Sequence, residues 1–261
     1  MQEPGKIRNV AVVGHRGTGK TSLVEAMLFQ AGAINRLGTV EAGTTVCDWD
    51  EDEQRRQMSL AASLAHLEWQ DRKINLIDTP GDSGFQADTI TSLRVVEGAL
   101  VVVSAVMGVE VNTARVWNRS EELELSRVVF VNMLDRERAD FFRTLAALQE
   151  QLSPSCVAIQ LPIGVEHELT GVVDLLHNCA YMDPSGEREG DPVPIPDELA
   201  ATAAQFREKL LDAVVETNED LMARYLDGEE LPAEDVAHAL KDAVTRDELY
   251  PVAVRSERAH V

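Results

Sequence analysis

The chain has 261 residues, with 45 acidic and 24 basic side chains and a formal net charge of −21. Its hydrophobic content of 44% supports a packed globular core and argues against a disordered chain. The longest apolar run, from Ala99 to Val109, is too short to cross a bilayer, and the negative charge repels nucleic acid, so neither a membrane nor DNA is an expected partner.

The first part of the chain alternates short apolar runs with helical patterns. Buried strands are predicted at 9–14, 59–69, 73–78, 98–105, 127–133 and 156–164, with a turn at 70–73. Helices are predicted near 21–30, 89–96, 112–122 and 139–151. This alternation predicts an α/β fold of the P-loop NTPase type, with a mainly parallel sheet covered by helices on both faces.

The pattern changes after Leu161. Short antiparallel strands are predicted at 170–176 and 179–183, followed by a turn at 183–187, an extended proline-rich linker at 191–199, acidic helices at 197–216, 219–226 and 233–245, and a buried strand at 249–257. We therefore expect a core at 1–159, an inserted acidic α+β subdomain at 160–250, and a return strand at 251–261.

The stretch 160–250 holds 22 acidic and 6 basic residues. Two interpretations stay open: solvated helix faces, or a docking surface for a basic protein partner.

The three cysteines, Cys47, Cys156 and Cys179, are far apart, which favours free thiols in a reducing compartment. Since the first residues also lack the apolar segment of a signal peptide, we expect a cytoplasmic protein.

The segment GHRGTGKT, Gly14 to Thr21, matches the phosphate-loop pattern G-x-x-x-x-G-K-[S/T] between a predicted strand and a predicted helix. In such a loop, backbone N–H groups close around phosphates and the helix N-terminus adds partial positive charge. Lys20 is expected to pair with the β- and γ-phosphates and the Thr21 hydroxyl to bind Mg²⁺. The predicted nucleotide-binding residues here are Gly14, His15, Arg16, Gly17, Thr18, Gly19, Lys20, Thr21 and Ser22.

A second motif, DTPG, follows the predicted strand at 73–78. Asp78 is placed to hold the metal through water, and the Gly81 N–H to approach the γ-phosphate. The polar segment 44–60 between the two motifs is typical of a switch loop that orders around the γ-phosphate and Mg²⁺. Its five consecutive or near-consecutive acids are expected to form an exposed loop, with a second metal site as the alternative: Asp48, Asp50, Glu51, Asp52 and Glu53.

The segment VNMLD, Val131 to Asp135, resembles the guanine-recognition motif N-K-x-D. Asp135 is expected to accept hydrogen bonds from two N–H groups on a guanine edge, a contact that adenine cannot make. Asn132 is expected to brace the loop. Met133 stands where the motif has lysine, which removes charged hydrogen bonds worth about 1.5–3 kcal/mol. Guanine selectivity at reduced affinity is therefore predicted.

Together these motifs, with LGTVEAGTTVCDWD, TGVVDLL and YLDGEELP, resemble the G domain of elongation factor G, a translational GTPase. The similarity is greatest to the divergent elongation-factor-G-like (type 2) proteins. The resemblance implies GTP or GDP and Mg²⁺ as ligands and the ribosome as partner. It also implies further domains, so we expect an N-terminal fragment or an isolated G domain. Family analogy further suggests that the ribosomal stalk protein docks on the acidic insertion.

Beside Met133, four positions depart from the family pattern. The family's phosphate loop usually carries an aspartate where this chain has Gly17, which removes a carboxylate from any monovalent-ion site there. Ser59 replaces the threonine metal ligand but keeps a hydroxyl, and Ser256, followed by Glu257, stands in the last base-contacting motif. Asp82 stands where the family has its water-positioning histidine. An ionised Asp82 would repel the γ-phosphate, which predicts slow or absent turnover. The alternative is that Asp82 caps the following helix without a catalytic part.

Three functions are therefore considered. The favoured one is a GTP- and Mg²⁺-binding domain whose ribosome-coupled hydrolysis is impaired by Asp82. The second is a non-hydrolysing, guanine-nucleotide-gated ribosome-binding module. The third, a P-loop ATPase unrelated to translation, fits the phosphate loop but leaves Asn132 and Asp135 unexplained.

Overall fold

The computed structural model of the protein describes residues 3–182 and 191–254. The turn predicted at 183–187 and the residues Ser256 and Glu257 lie outside these ranges. The described strands are β1 (Ile7–Gly14), β2 (Ser63–Trp69), β3 (Arg72–Asp78), β4 (Gly98–Ser104), β5 (Ser126–Asn132), β6 (Cys156–Ala158), β7 (Gln160–Ile163), β8 (Gly171–Asp174), β9 (Cys179–Met182) and β10 (Tyr250–Val254). The described α-helices are α1 (Lys20–Gln30), α2 (Glu51–Arg56), α3 (Gln86–Leu93), α4 (Val111–Glu122), α5 (Phe141–Gln151), α6 (Asp197–Val215), α7 (Glu219–Leu226) and α8 (Ala233–Thr245).

Seven of these strands form one sheet in the order β2-β3-β1-β4-β5-β10-β6. Each neighbouring pair is parallel except β2 and β3, which form an antiparallel hairpin. The two-residue turn of this hairpin, Gln70 and Asp71, has φ values of 46° and 59°, as turns that match the right-handed strand twist require. The predicted α/β fold with a mainly parallel sheet is confirmed.

Helices cover both faces of the sheet. Alternate residues of each strand point to opposite faces, so each strand contributes apolar side chains to both layers of helices. In β1, Val12 packs in a cluster with Val24 and Leu28 of α1, whereas Val13 packs in a second cluster with Trp117 of α4. Both valines are completely buried. A Val-rich strand buried on both faces explains the continuous apolar runs seen in the sequence.

Four predictions of secondary structure are wrong. Strand β2 begins at Ser63, not at residue 59, because the Leu60 and Ala61 N–H groups donate to the Glu53 carboxylate. Helix α3 begins at Gln86, not near Thr89. The switch segment contains α2, which lacks an apolar period but is capped by Asp50. The predicted strand at 156–164 is divided between two sheets, β6 in one and β7 in the other.

The second sheet is antiparallel, in the order β7-β8-β9, and helices α6, α7 and α8 follow it. Its residues and those helices share one apolar cluster with the parallel sheet, including Val129 of β5, Val173 of β8, Leu210 of α6 and Ala243 of α8. The segment predicted as an insertion therefore packs directly on the core strands.

Cys47 and Cys156 are buried free thiols, and Cys179 is a partly buried one. Burial raises the pKa of the Cys156 thiol to about 12, which keeps it protonated and unreactive at neutral pH. Among the described residues, no helix combines the length and the apolar character needed to span a membrane.

Candidate functional site

A cleft of about 240 Å³ opens at the carboxyl end of the parallel sheet. Strands β1 and β3 end there as neighbours, and β5 ends on the other side of β4. Each of these strands leads into one of the motifs predicted to bind nucleotide. The cleft is lined by Arg16, Gly17, Gly19, Lys20, Thr21, Ser22, Val40, Glu41, Asp48, Gln57, Met58, Ser59, Gly81, Met133 and Arg136.

The phosphate loop needs glycine for two separate reasons. Gly14 has φ 147°, and a Cβ at this position would lie 2.3 Å from the Val102 carbonyl oxygen. Gly19 has φ 84° and precedes the first residue of α1, so it turns the chain into the helix in a left-handed conformation. As a result the N-terminus of α1, with its unpaired N–H groups, opens on the cleft.

Lys20 is held inside this loop. Its side chain is buried, and Nζ donates to the His15 carbonyl oxygen at 2.9 Å. Burial lowers the pKa of Lys20 to about 8, an effect that the nearby carboxylates of Asp78 and Asp48 oppose. The ammonium therefore has little contact with water and is poised for an anionic partner.

The three predicted metal ligands lie together. Thr21 Oγ1 donates to Asp78 Oδ2 at 2.7 Å and lies 3.1 Å from Ser59 Oγ. Asp78 is 1% exposed, its Oδ1 has no hydrogen-bond partner, and burial raises its pKa to about 6. Two hydroxyls and a carboxylate with an unsatisfied buried oxygen are the hard oxygen donors that suit Mg²⁺. These residues therefore fit a magnesium ion.

Asp48, which the sequence placed only in the alternative second metal site, is a fourth member of this corner. Ser59 Oγ donates to Asp48 Oδ1 at 2.8 Å, and burial raises the pKa of Asp48. The expectation of an exposed acidic loop is wrong for Asp48 and Glu53, which are 2% and 3% exposed. Both carboxylates are turned inward because backbone or hydroxyl donors of the same segment bind them.

Another buried carboxylate, Glu25 of α1, orders the segment before α2. It is 2% exposed, and its two oxygens accept hydrogen bonds from the Gly38 N–H at 3.0 Å and the Val46 N–H at 2.9 Å. The one sequence signal for Glu25 is an acid between the apolar residues of a short helix. This signal does not identify the partners, which lie 13 and 21 residues away.

Gly81 of the DTPG motif touches the phosphate loop. A Cβ at this position would lie 2.3 Å from Lys20 Nζ and 2.7 Å from the Arg16 backbone nitrogen. The Gly81 carbonyl oxygen accepts from Asn112 Nδ2 at 2.9 Å, and Asn112 in turn accepts from Gln86 Nε2 at 3.0 Å. Neither Asn112 nor Gln86 was found from the sequence, because both lie outside any motif.

The Asp82 carboxylate makes a capping hydrogen bond and an ion pair. One oxygen accepts from the Gly84 N–H at 2.8 Å and so caps the 3₁₀ turn Ser83–Phe85. The other lies 3.6 Å from Nη1 of Arg16 in the phosphate loop. The hydrogen bond to Gly84 is of the capping kind that the alternative interpretation of Asp82 proposed. The ion pair with Arg16 was not predicted from the sequence.

The loop after β5 joins the other end of the site. Asn132 is buried, and its Nδ2 donates to the Thr18 carbonyl oxygen at 3.0 Å, which braces the phosphate loop. Met133 lines the cleft in a left-handed backbone conformation with φ 63°. Asp135, 5% exposed, follows in the same loop. His15 of the phosphate loop lies 3.3 Å from the Glu110 carboxylate.

Two comparisons with known proteins agree with this geometry. A family model described as "Elongation factor Tu GTP binding domain" matches residues 5–248. The crystal structure of a protein from Thermus thermophilus is similar to this chain, with a TM-score of 0.90 and 37% sequence identity. That match covers 98% of this chain and 38% of the Thermus chain, so the present chain spans less than half the length of that relative.

Proposed function

The chain belongs to the elongation factor Tu GTP-binding domain family, and we propose that it is the G domain of an elongation-factor-G-like translational GTPase of the type 2 group. In this proposal it binds GTP or GDP with Mg²⁺, and its nucleotide state governs contact with the ribosome. The observation that carries the proposal is the meeting of three strand-end motifs in one cleft, with Thr21 bonded to Asp78 and Asn132 bonded to the phosphate loop.

The phosphate end of the nucleotide is assigned to the loop from Gly14 to Ser22. Thr21 and Ser59 would hold Mg²⁺ directly and Asp78 through water. Bound there, the ion neutralises phosphate charge and fixes the β- and γ-phosphates in place. Lys20 would supply a second positive charge to the same phosphates, and the Gly81 N–H would bind the γ-phosphate, since Gly81 packs closely against the phosphate loop.

The base end is assigned to Asn132, Met133 and Asp135, with Ser256 beyond the described residues. Asp135 would accept from guanine, whereas Met133 supplies apolar cover without the charge of the lysine that the family has there. We therefore propose guanine selectivity at reduced affinity.

Hydrolysis is proposed to be slow because Asp82 replaces the family's histidine. Its carboxylate accepts from the Gly84 N–H, faces Arg16 across 3.6 Å and adds negative charge beside the γ-phosphate, so it is poorly suited to orient an attacking water. These two contacts also support the second candidate function, a nucleotide-gated ribosome-binding module that does not hydrolyse GTP.

The test is single-turnover GTP hydrolysis, with and without ribosomes, for the chain and its Asp82→His variant. The proposal expects the variant to exceed the unmodified chain by at least about tenfold, within the range of a positioned general acid or base. Asp227→His, an exposed change at the end of α7, is the matched control and should leave the rate unchanged. Equal rates for Asp82→His and the unmodified chain would remove Asp82 as the cause of slow turnover.

Docking of the ribosomal stalk protein on the acidic helices rests on resemblance and charge alone. Arg224 of α7 binds Glu229 of the α7–α8 loop at 2.7 Å and Asp235 of α8 at 2.9 Å, so these two carboxylates are already paired within the domain.

A further inference from the structure

Two opposite charges face each other from the two loops that meet at the cleft. Arg16 lies in the phosphate loop and Asp82 follows β3, and Arg16 Nη1 is 3.6 Å from Asp82 Oδ2. Both side chains keep contact with solvent, with exposed fractions of 57% for Arg16 and 30% for Asp82. The pair is therefore accessible to a bound ligand and free to rearrange.

The position of the pair matters because of its neighbours. Arg16, Lys20 and Gly81 line the same cleft, and Gly81 directly precedes Asp82. A Cβ on Gly81 would come within 2.3 Å of Lys20 Nζ and 2.7 Å of the Arg16 backbone nitrogen, so the two loops touch at this point. A phosphate held between Lys20 and Gly81 would lie beside both members of the pair.

The charges give the two members opposite effects on such a phosphate. A lone carboxylate repels it, whereas a guanidinium is a preferred partner for phosphate because its planar fork donates two parallel hydrogen bonds. We propose that Arg16 is a γ-phosphate sensor that Asp82 holds in place: Arg16 neutralises Asp82 in the diphosphate state and turns to the γ-phosphate in the triphosphate state. This inference rests on the proposed function and specifies how the same site distinguishes GTP from GDP.

The pair also explains how an acid at position 82 is compatible with triphosphate binding. Without Arg16, the carboxylate next to Gly81 would act on the γ-phosphate as an uncompensated negative charge. With Arg16 present, the positive charge of the guanidinium balances the negative charge of the Asp82 carboxylate beside the γ-phosphate. Arg16 is thus a specificity-determining residue, and its effect depends on the presence of Asp82.

The experiment is a double-mutant cycle read out as the ratio of two dissociation constants, one for the non-hydrolysable β,γ-imido analogue of GTP and one for GDP. Arg16→Gln should weaken the analogue relative to GDP by about two- to fivefold, the range of a partly exposed charge pair. Asp82→Asn keeps a side chain that can cap the 3₁₀ turn, and should strengthen the analogue by about threefold. Arg16→Gln should cause a larger loss when it is made in the Asp82→Asn background than in the unmodified chain, because Arg16 there gives up no ion pair when it turns to the γ-phosphate.

Arg119→Gln is the matched control, because it removes one positive charge from the exposed Arg119–Glu122 pair on α4. Its dissociation-constant ratio should equal that of the unmodified chain. The inference is overturned if Arg16→Gln weakens GDP as much as the analogue, or if its effect is the same with and without Asp82. Failure of the unmodified chain to bind either guanine nucleotide would instead overturn the proposed function.

Discussion

At the scale of single residues, the site depends on polar side chains that hold backbone groups at fixed positions. Asn112 is the clearest case, because it is 6% exposed and joins the Gly81 carbonyl oxygen to Gln86. By fixing that carbonyl it also fixes the plane of the peptide that follows Gly81, and hence the loop that carries Asp82.

Removing this amide should therefore affect triphosphate binding more than diphosphate binding. For Asn112→Ala we expect about 1–2 kcal/mol less stability, since the Gly81 carbonyl oxygen loses its donor, and a several-fold weaker GTP analogue with GDP little changed. Denaturant unfolding and equilibrium nucleotide titration measure the two effects. Asn218→Ala, which removes the cap of α7, should cost about 1 kcal/mol without changing nucleotide preference.

How much of the site the sequence predicts depends on the distance between partners. Thr21 and Asp78 belong to motifs whose spacing carries the chemistry, so their meeting was predictable. Asp48, Glu25 and Asn112 act through partners 11 to 31 residues away, and no local pattern distinguishes a buried acid or amide from an exposed one. For these residues the fold itself supplies the information.

At the scale of elements, the switch segment is ordered by carboxylates in place of an apolar face. Helix α2 is only six residues long, and the loop before it is attached to α1 through Glu25. An element held by a few buried polar contacts opens at low cost, as conformational switches require. The sequence did not predict α2, because its residues lack an apolar period, and the switch role of 44–60 stays a prediction.

Glu25→Ala should release this loop while leaving α1 folded. We expect faster hydrogen exchange at the Gly38 and Val46 amides, both of which lose their acceptor, with unchanged protection in β1. Glu121→Ala, at an exposed position of α4, is the control and should change neither region. Equal protection of the 38–46 amides in the Glu25 variant would show that the carboxylate does not hold the loop.

At the scale of the whole molecule, a buried cation joins the core to the segment predicted as an insertion. Arg127 of β5 is completely buried, lies 4.5 Å from the ring centroids of both Trp117 and Tyr250, and forms an ion pair with Asp247, 120 residues away. The parallel sheet was predictable because its strands are apolar on both faces. The pairing of Arg127 with Asp247 was not predictable, since an arginine at the start of a strand pattern does not identify its partner.

Asp247→Asn should therefore destabilise the entire domain without altering nucleotide choice. The loss of a buried charge partner predicts about 2–4 kcal/mol less stability, with one cooperative transition retained because both segments share the same apolar cluster. Chemical denaturation followed by far-ultraviolet circular dichroism measures it. A separate early transition for the segment 160–250 would contradict the shared core.

An equilibrium titration of this chain with GTP, GDP and ATP, in Mg²⁺ and again in EDTA, measures the base preference and the metal dependence of the site together. Equilibrium conditions are required because Met133 lowers the expected affinity. Both guanine nucleotides should bind more tightly than ATP, EDTA should weaken GTP binding, and Asp135→Ala should abolish the preference for guanine. Tighter binding of ATP, or a guanine preference that survives Asp135→Ala, would refute the assignment of this cleft to a guanine nucleotide.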